Sequence, residues 1–335
     1  MTMFKPSIEN CVGNSLGIVL EVFQKTSGMA ISVIIPVYNA EEWVVDSVAS
    51  IVDQEYVSEV ILVEDGSSDG SLALCATIVD TNPKVRLIRH PDGKNHGAGT
   101  TRNLGVLNAQ CDFVAFLDAD DICLPNRFNL PMSILKQSPS IDGVYEAIGT
   151  IFQNQQAQDR WDSLNWGELT TVRKTLKPEE LFYFLVMWEA GHFSLDGLAI
   201  KKELFLKVGG FDEPLKLGED SNFCMKAAAL GVLVPGRLDQ PVALRRLHDS
   251  NSIFKLKRDA LAHQLLGWRT LNEWAKKSGQ SKGKKLLVRY QFWRVLARHR
   301  KRSRNFHSAL FYYMMSRFMQ LEITIRKKLF GPASF

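Results

Sequence analysis

Cysteine is scarce in this chain. Its five cysteines, Cys11, Cys75, Cys111, Cys123 and Cys224, are scattered without paired metal-binding spacing, and an odd number spread this way suits a reducing compartment and reads as ordinary buried thiols. Long apolar runs are missing as well. No stretch approaches the roughly 18 residues of a membrane-spanning helix. The opening "MTMFKPSIENCVGNSLGIVLEVF" carries Glu9 and Glu21 and has no convincing cleavage site, so it does not read as a secretory signal, and a cytoplasmic location is expected. Internal repeats and low-complexity segments are absent, which excludes solenoids and disordered tracts.

Hydrophobic residues are plentiful. With 45% of its 335 residues hydrophobic and 10% aromatic, the chain can bury a substantial core. Its net charge of +5 hides a division: residues 252–335 carry 20 Lys and Arg against 3 Asp and Glu, leaving residues 1–251 net acidic by 12. The two parts are expected to meet different partners. We divide the chain into an extension over 1–29 with no assigned function, a domain over 30–251, and a basic helical region over 252–335.

Within 30–251, apolar runs alternate with helical spacing. "ISVIIPV", "EVILVED", "VRLIRH" and "FVAFLD" read as strands. Between them "EEWVVDSVASIVDQ", "SLALCATIVDT" and "GTTRNLGVLNAQ" read as helices. That order predicts an α/β fold with a mostly parallel sheet covered by helices on both faces. Pro36 is expected to end regular pairing of the first strand. Ligands of such sheets sit beyond the carboxyl ends of the strands, where Asn39, Asp65 and Asp118 each follow a different strand.

The run "FVAFLDADDI" packs Asp118, Asp120 and Asp121 into four positions. Read as residues, this is either a solvated acidic loop or a cation site, since carboxylates so close raise one another's pKa unless a cation compensates. Mg²⁺ or Mn²⁺ fits the oxygen donors and leaves room for substrate phosphates. "EDGSSDGS" could equally be a turn capping the next helix, and Glu219 and Asp220 could simply cap theirs. "GAGTTR" lacks the last glycine of a dinucleotide fingerprint and follows the third strand instead of the first, which excludes a Rossmann oxidoreductase.

Taken in order, "ISVIIPVYNAEEWVVDSVASI", "VILVEDGSSDGS", "GAGTTRNLG", "FLDADD" and "GGFDEPLKLGEDSNFCMKAAALG" resemble the family 2 glycosyltransferases of the GT-A fold, over residues 31–250. The resemblance implies an inverting, metal-dependent enzyme that moves one sugar from a nucleotide-diphosphate donor, expected to be a UDP-sugar, to an acceptor hydroxyl. It also implies the roles of individual residues. Pro36, Tyr38, Asn39 and Glu41 would lie along the nucleotide, Asp65 on base or ribose, and Arg102 on nucleotide or phosphates. Asp118 would sit near ribose or metal, Asp120 on the metal with Asp121 sharing it, and His248 near metal or diphosphate. Asp220 would be the general base. Trp188, Glu189, His192 and Glu219 would line the acceptor side, although Trp188 read alone is as well suited to a core. Glu64 and Thr101 stand where the family usually has aspartate and alanine, and the Q-x-x-R-W signature of processive synthases is absent. Envelope polysaccharide or glycolipid synthesis would suit such an enzyme, with a glycan or lipid-linked acceptor.

Two other functions compete. A sugar nucleotidyltransferase would need a Gly-rich basic loop after the first strand, where "PVYNAEEW" is acidic. A non-catalytic, membrane-associated nucleotide-sugar-binding protein would share the fold. The tail mixes aromatic, aliphatic and basic residues at near-helical spacing, as in helices lying on an anionic bilayer at the inner face of the membrane. The same pattern suits helices packed on the domain. No recognised nucleic-acid-binding module is visible.

Overall fold

The computed structural model describes residues 29–164, 167–248, 251 and 260–335. The expected N-terminal extension, apart from Met29, and the start of the basic region at 252–259 lie outside the described residues.

The first half runs β1 (Ile31–Val37), α1 (Val44–Ile51), β2 (Val57–Glu64), α2 (Ser71–Thr81), β3 (Val85–Arg89), α3 (Ala98–Asn108), β4 (Phe113–Phe116), β5 (Ile122–Cys123), α4 (Asn129–Gln137), β6 (Gly143–Tyr145) and β7 (Gly149–Phe152). It continues with α5 (Gln155–Asp162), α6 (Pro178–Met187), β8 (Leu198–Lys201), α7 (Lys202–Val208), α8 (Glu219–Leu230), β9 (Leu233–Pro235) and β10 (Ala243–Leu247). Three helices close the chain: α9 (Ala260–Lys277), α10 (Lys282–Arg302) and α11 (Phe306–Phe330).

Seven strands form one sheet in the order β3-β2-β1-β4-β8-β6-β9, and β5-β10-β7 form a second, smaller one. In the large sheet β1 runs parallel to both β2 and β4, and only β8 opposes its neighbours. Strand order reverses across β1: the chain moves outward to β3 and then returns to place β4 on the other side. A crevice opens at such a reversal, beyond the carboxyl ends of β1 and β4. Pro36 does not end the pairing of β1; it lies opposite Val63, in the last paired stretch of the strand.

The unbroken apolar runs follow from burial on both faces. Val33, Ile35 and Val37 of β1 point into one core with Val44, Val48 and Ile51 of α1 and Met132 of α4. Ile34 points into the other, with Val106 of α3 and Phe223 of α8. Gly105 lets α3 lie close on the sheet: a Cβ there would stand 2.4 Å from Ile34 Cγ2.

That second core continues into the C-terminal helices. Trp268 and Leu271 of α9, Leu287 and Val288 of α10, and Met319 and Ile323 of α11 join it. The α6 sequence "PEELFYFLVM" is apolar nearly all round because α8 and α10 pack on it from two sides. Gln291 Nε2 of α10 also donates to Val186 O at 2.7 Å. Packing on the domain therefore accounts for the inner faces of the tail helices.

Candidate active site

Three loops at the carboxyl edge of the large sheet are fastened together. After β1, Asn39 adopts a left-handed φ of 49°, which asparagine tolerates better than most residues. Its Oδ1 accepts from Ser68 N at 2.8 Å, and Glu41 Oε2 accepts from Gly70 N at 2.6 Å. After β2, the two Asp65 oxygens accept from His96 N at 2.7 Å and Gly97 N at 2.9 Å. Gly66, at φ 73°, lies against the backbone of residues 93–95, where a Cβ would meet Lys94 C at 2.7 Å. The sequence pointed Asn39, Glu41 and Asp65 at the nucleotide. The structure occupies their side chains with neighbouring amides, and Asp65 is buried. Tyr38 projects into solvent.

Beyond β4 the acidic turn divides its three carboxylates between two tasks. Side-chain oxygens of Asp118, Asp121 and Asp196 lie within 4.8 Å of one another. Asp196 comes from a short 3-10 turn, Leu195–Gly197, just before β8. Its Oδ1 accepts from Asp118 N at 3.2 Å, and its Oδ2 from Ser194 Oγ at 3.2 Å. Asp120 turns to the other side. Its Oδ2 lies 3.0 Å from His248 Nε2 and 3.2 Å from Asn251 Nδ2. Strand β10 brings these partners in, with Arg246 N donating to Asp121 Oδ1 at 2.8 Å and Arg246 Nε to Asp120 O at 3.0 Å.

The resemblance pointed Asp118, Asp120, Asp121 and His248 at the metal; the structure brings Asp118 and Asp121 together with Asp196, which the sequence reading did not name, and pairs Asp120 with His248. A lone Asp-Gly before an apolar run reads as an ordinary turn, so nothing in the sequence singles Asp196 out. Burial, then Asp118, push the Asp196 carboxyl up to about 6, with Arg245 opposing. Asp121 is raised well above the ordinary carboxylate range by burial and by Asp196, Asp120 and Asp118. Three hard oxygen donors crowded together, two of them buried and resisting ionisation and Asp118 open to solvent, fit a Mg²⁺ or Mn²⁺ ion.

Arg102 of α3 spans the crevice. Its NH2 donates to Asp118 Oδ1, and its NH1 reaches Glu219 Oε1 at 3.3 Å. The guanidinium is buried; burial favours loss of its proton, but Asp118 and Glu219 outweigh this and raise its pKa. The sequence set Arg102 toward phosphates. Here it joins the acidic turn to the first turn of α8. Glu219 is drawn inward, its pKa raised by burial and by Asp220, with Arg102 opposing. Asp220 remains half-buried, its Oδ1 accepting from Ser221 N at 2.6 Å.

Of the residues the resemblance sets on the acceptor side, Trp188 is 52% exposed in a left-handed conformation at the end of α6, which excludes the core reading. It stacks on His192 with ring centroids 5.2 Å apart. His192 Nδ1 lies 2.9 Å from Phe193 O, and burial lowers the imidazole pKa, with that backbone bond and Asp220 opposing. Glu189 has other partners: Oε1 accepts from Tyr183 OH at 3.0 Å, and Oε2 lies 2.5 Å from Lys327 Nζ of α11.

The family model described as glycosyl transferase family 2 matches residues 32–209, more than half of the chain. The chain belongs to this family. A glycosyltransferase of Haemophilus influenzae, itself uncharacterized, is 26% identical over 223 residues, 66% of this chain and 70% of the relative. A second from the same organism is 36% identical over 109 residues, 32% and 43% of the two chains. Matches to longer relatives cover less; one from Rickettsia conorii is covered over 17% of its length. Among solved structures, S. aureus TarS 1–349 in complex with UDP-GlcNAc superposes with a TM-score of 0.60 at 18% identity, over 82% of this chain and 73% of that one. The complex of the same fragment with UDP gives 0.57 over 82% and 72%. These structures establish the likeness of fold. The family match spans the fastened loops after β1 to β3, the acidic turn and Asp196, whereas Asp220 and His248 of this glycosyltransferase lie beyond it.

Proposed function

We propose that this glycosyltransferase moves a single sugar from a nucleoside-diphosphate sugar, a UDP-sugar by analogy with the ligands of TarS, to an acceptor hydroxyl with inversion. One observation carries the reading. A salt-bridged path, Asp118–Arg102–Glu219, runs from the three-carboxylate recess to the first turn of α8, where the half-buried Asp220 follows Glu219.

Asp118, Asp121 and Asp196 would hold the divalent cation, with Asp120 and His248 flanking them. That cation, when bound, supplies positive charge to the leaving diphosphate, which is often the largest contribution to such a reaction. Asp220 takes the proton of the acceptor hydroxyl as its oxygen bonds to the anomeric carbon and the bond to the diphosphate breaks. Attack from the face opposite the leaving group inverts the centre. Arg102 holds Glu219, and through it the first turn of α8, at a fixed distance from the donor end. Trp188 and His192 present a stacked aromatic wall on the acceptor side, suited to the apolar face of a sugar.

The test is Asp220→Asn, assayed for transfer and, separately, for thermal stabilisation by nucleoside diphosphates with Mn²⁺. Transfer is expected to fall at least about a hundredfold, in the range of a lost general base, with the stabilisation retained. Full activity in the variant would remove Asp220 from the mechanism. Release of pyrophosphate from a nucleoside triphosphate and a sugar phosphate would favour a nucleotidyltransferase instead.

A further inference from the structure

The last helix has two apolar faces, and the body of the protein uses one. Ala309, Ser316, Met319 and Ile323 of α11 are buried against the rest of the chain. On the opposite side Leu310, Met314, Phe318, Leu321, Ile325 and Leu329 are each 49–70% exposed. Spacings of four, four, three, four and four residues keep these six on one narrow stripe. From Leu310 to Leu329, at about 1.5 Å of rise per residue, the stripe is about 29 Å long. A contiguous apolar surface of this size marks an interaction site.

Charge decides between the occupants. Basic residues gather before the stripe, where Arg300, Lys301, Arg302 and Arg304 are all exposed, and a further exposed lysine, Lys328, lies at its end. A second copy of the chain docked along the same face would bring two such basic regions together. An anionic bilayer would neutralise them while taking up the apolar side chains. Spanning is excluded for the described helices, since none is long and apolar enough to cross a membrane.

We propose that α11 lies flat on an anionic membrane surface, its Leu310–Leu329 stripe in the acyl boundary and its flanking arginines and lysines among the headgroups. The opposite face of the same helix carries the Lys327–Glu189 ion pair, so docking would fix the segment holding Trp188 and His192 relative to the bilayer.

The experiment is flotation of the full chain with phosphatidylcholine vesicles and with vesicles in which phosphatidylglycerol replaces part of that lipid. A Phe318→Ser, Leu321→Ser variant and sedimentation velocity without lipid accompany it. Both side chains are more than half exposed, so circular dichroism and melting temperature are expected to match the parent protein. The expected result is binding to the anionic vesicles only, weakened by salt and at least about tenfold weaker in the variant. No binding to either vesicle, or binding unchanged in the variant, would overturn the proposal. So would a parent dimer that the variant converts to monomer without altering flotation. None of these readings depends on sugar transfer.

Discussion

Asp196 carries two opposed demands. Its carboxyl holds a proton to about pH 6, against an ordinary value of 3.8, so its ionisation works against the fold. This contribution favours the native state below about pH 4 and is lost as pH rises through 6. Asp196→Asn keeps an acceptor for the Asp118 amide while removing the charge. In the absence of divalent cation, the variant is expected to melt about 2–5 °C higher than the parent at pH 7.5, with no gain at pH 4, and to lose cation-dependent stabilisation. Equal melting temperatures at pH 7.5 would refute the repulsion account. Asp118 and Asp121 were visible in the sequence because three carboxylates in four positions invite a cation. Asp196 was not, because its partners arrive only when the antiparallel β8 sets its preceding turn beside β4. The same limit applies to Arg102: its sequence position places it near the crevice, but the carboxylates that claim it come from residues 16 and 117 positions away.

At the scale of elements, the first half of the sheet was legible because β1, β2 and β4 are apolar runs buried on both faces and α1 is amphipathic. Helix α2 follows the sequence reading residue for residue, whereas α1 begins only after Trp43. Turn residues and helix formers overlap at such ends, so boundaries are set by contacts the sequence does not state. Two glycines inside helices separate packing from propensity. Gly105→Ala would push a methyl to 2.4 Å from Ile34 Cγ2 and 3.0 Å from Val63 Cγ2, and is expected to cost about 1–3 kcal/mol. Gly267 of α9 has nothing within 4 Å of its would-be Cβ, so Gly267→Ala is expected to stabilise by about 0.5–1 kcal/mol. Denaturant titrations of the two variants should therefore move in opposite directions; a shared sign would contradict this packing.

At the scale of the whole molecule, the charge changes at residue 252, and the core runs on into the basic region. Leu287 of α10 is fully buried in the same cluster as Ile34 of β1 and Phe116 of β4. Leu287→Ala is expected to cost about 2–5 kcal/mol and to shift one cooperative melting transition. An early, separate transition confined to the C-terminal helices would show that the two parts unfold independently. Near-helical spacing over residues 286–330 suggested helices in the tail, but it could not divide α10 from α11 or say which face each would bury, since α11 offers apolar residues on both sides. At the far end of the molecule, the loops after β1, β2 and β3 are already joined by side chain to amide hydrogen bonds through Asn39, Glu41 and Asp65. A ligand settling on that edge meets a preorganised wall and loses little affinity to ordering backbone. If the sugar donor binds at that edge as proposed, discrimination there becomes a question of shape and of the hydrogen-bonding groups that the loops leave vacant.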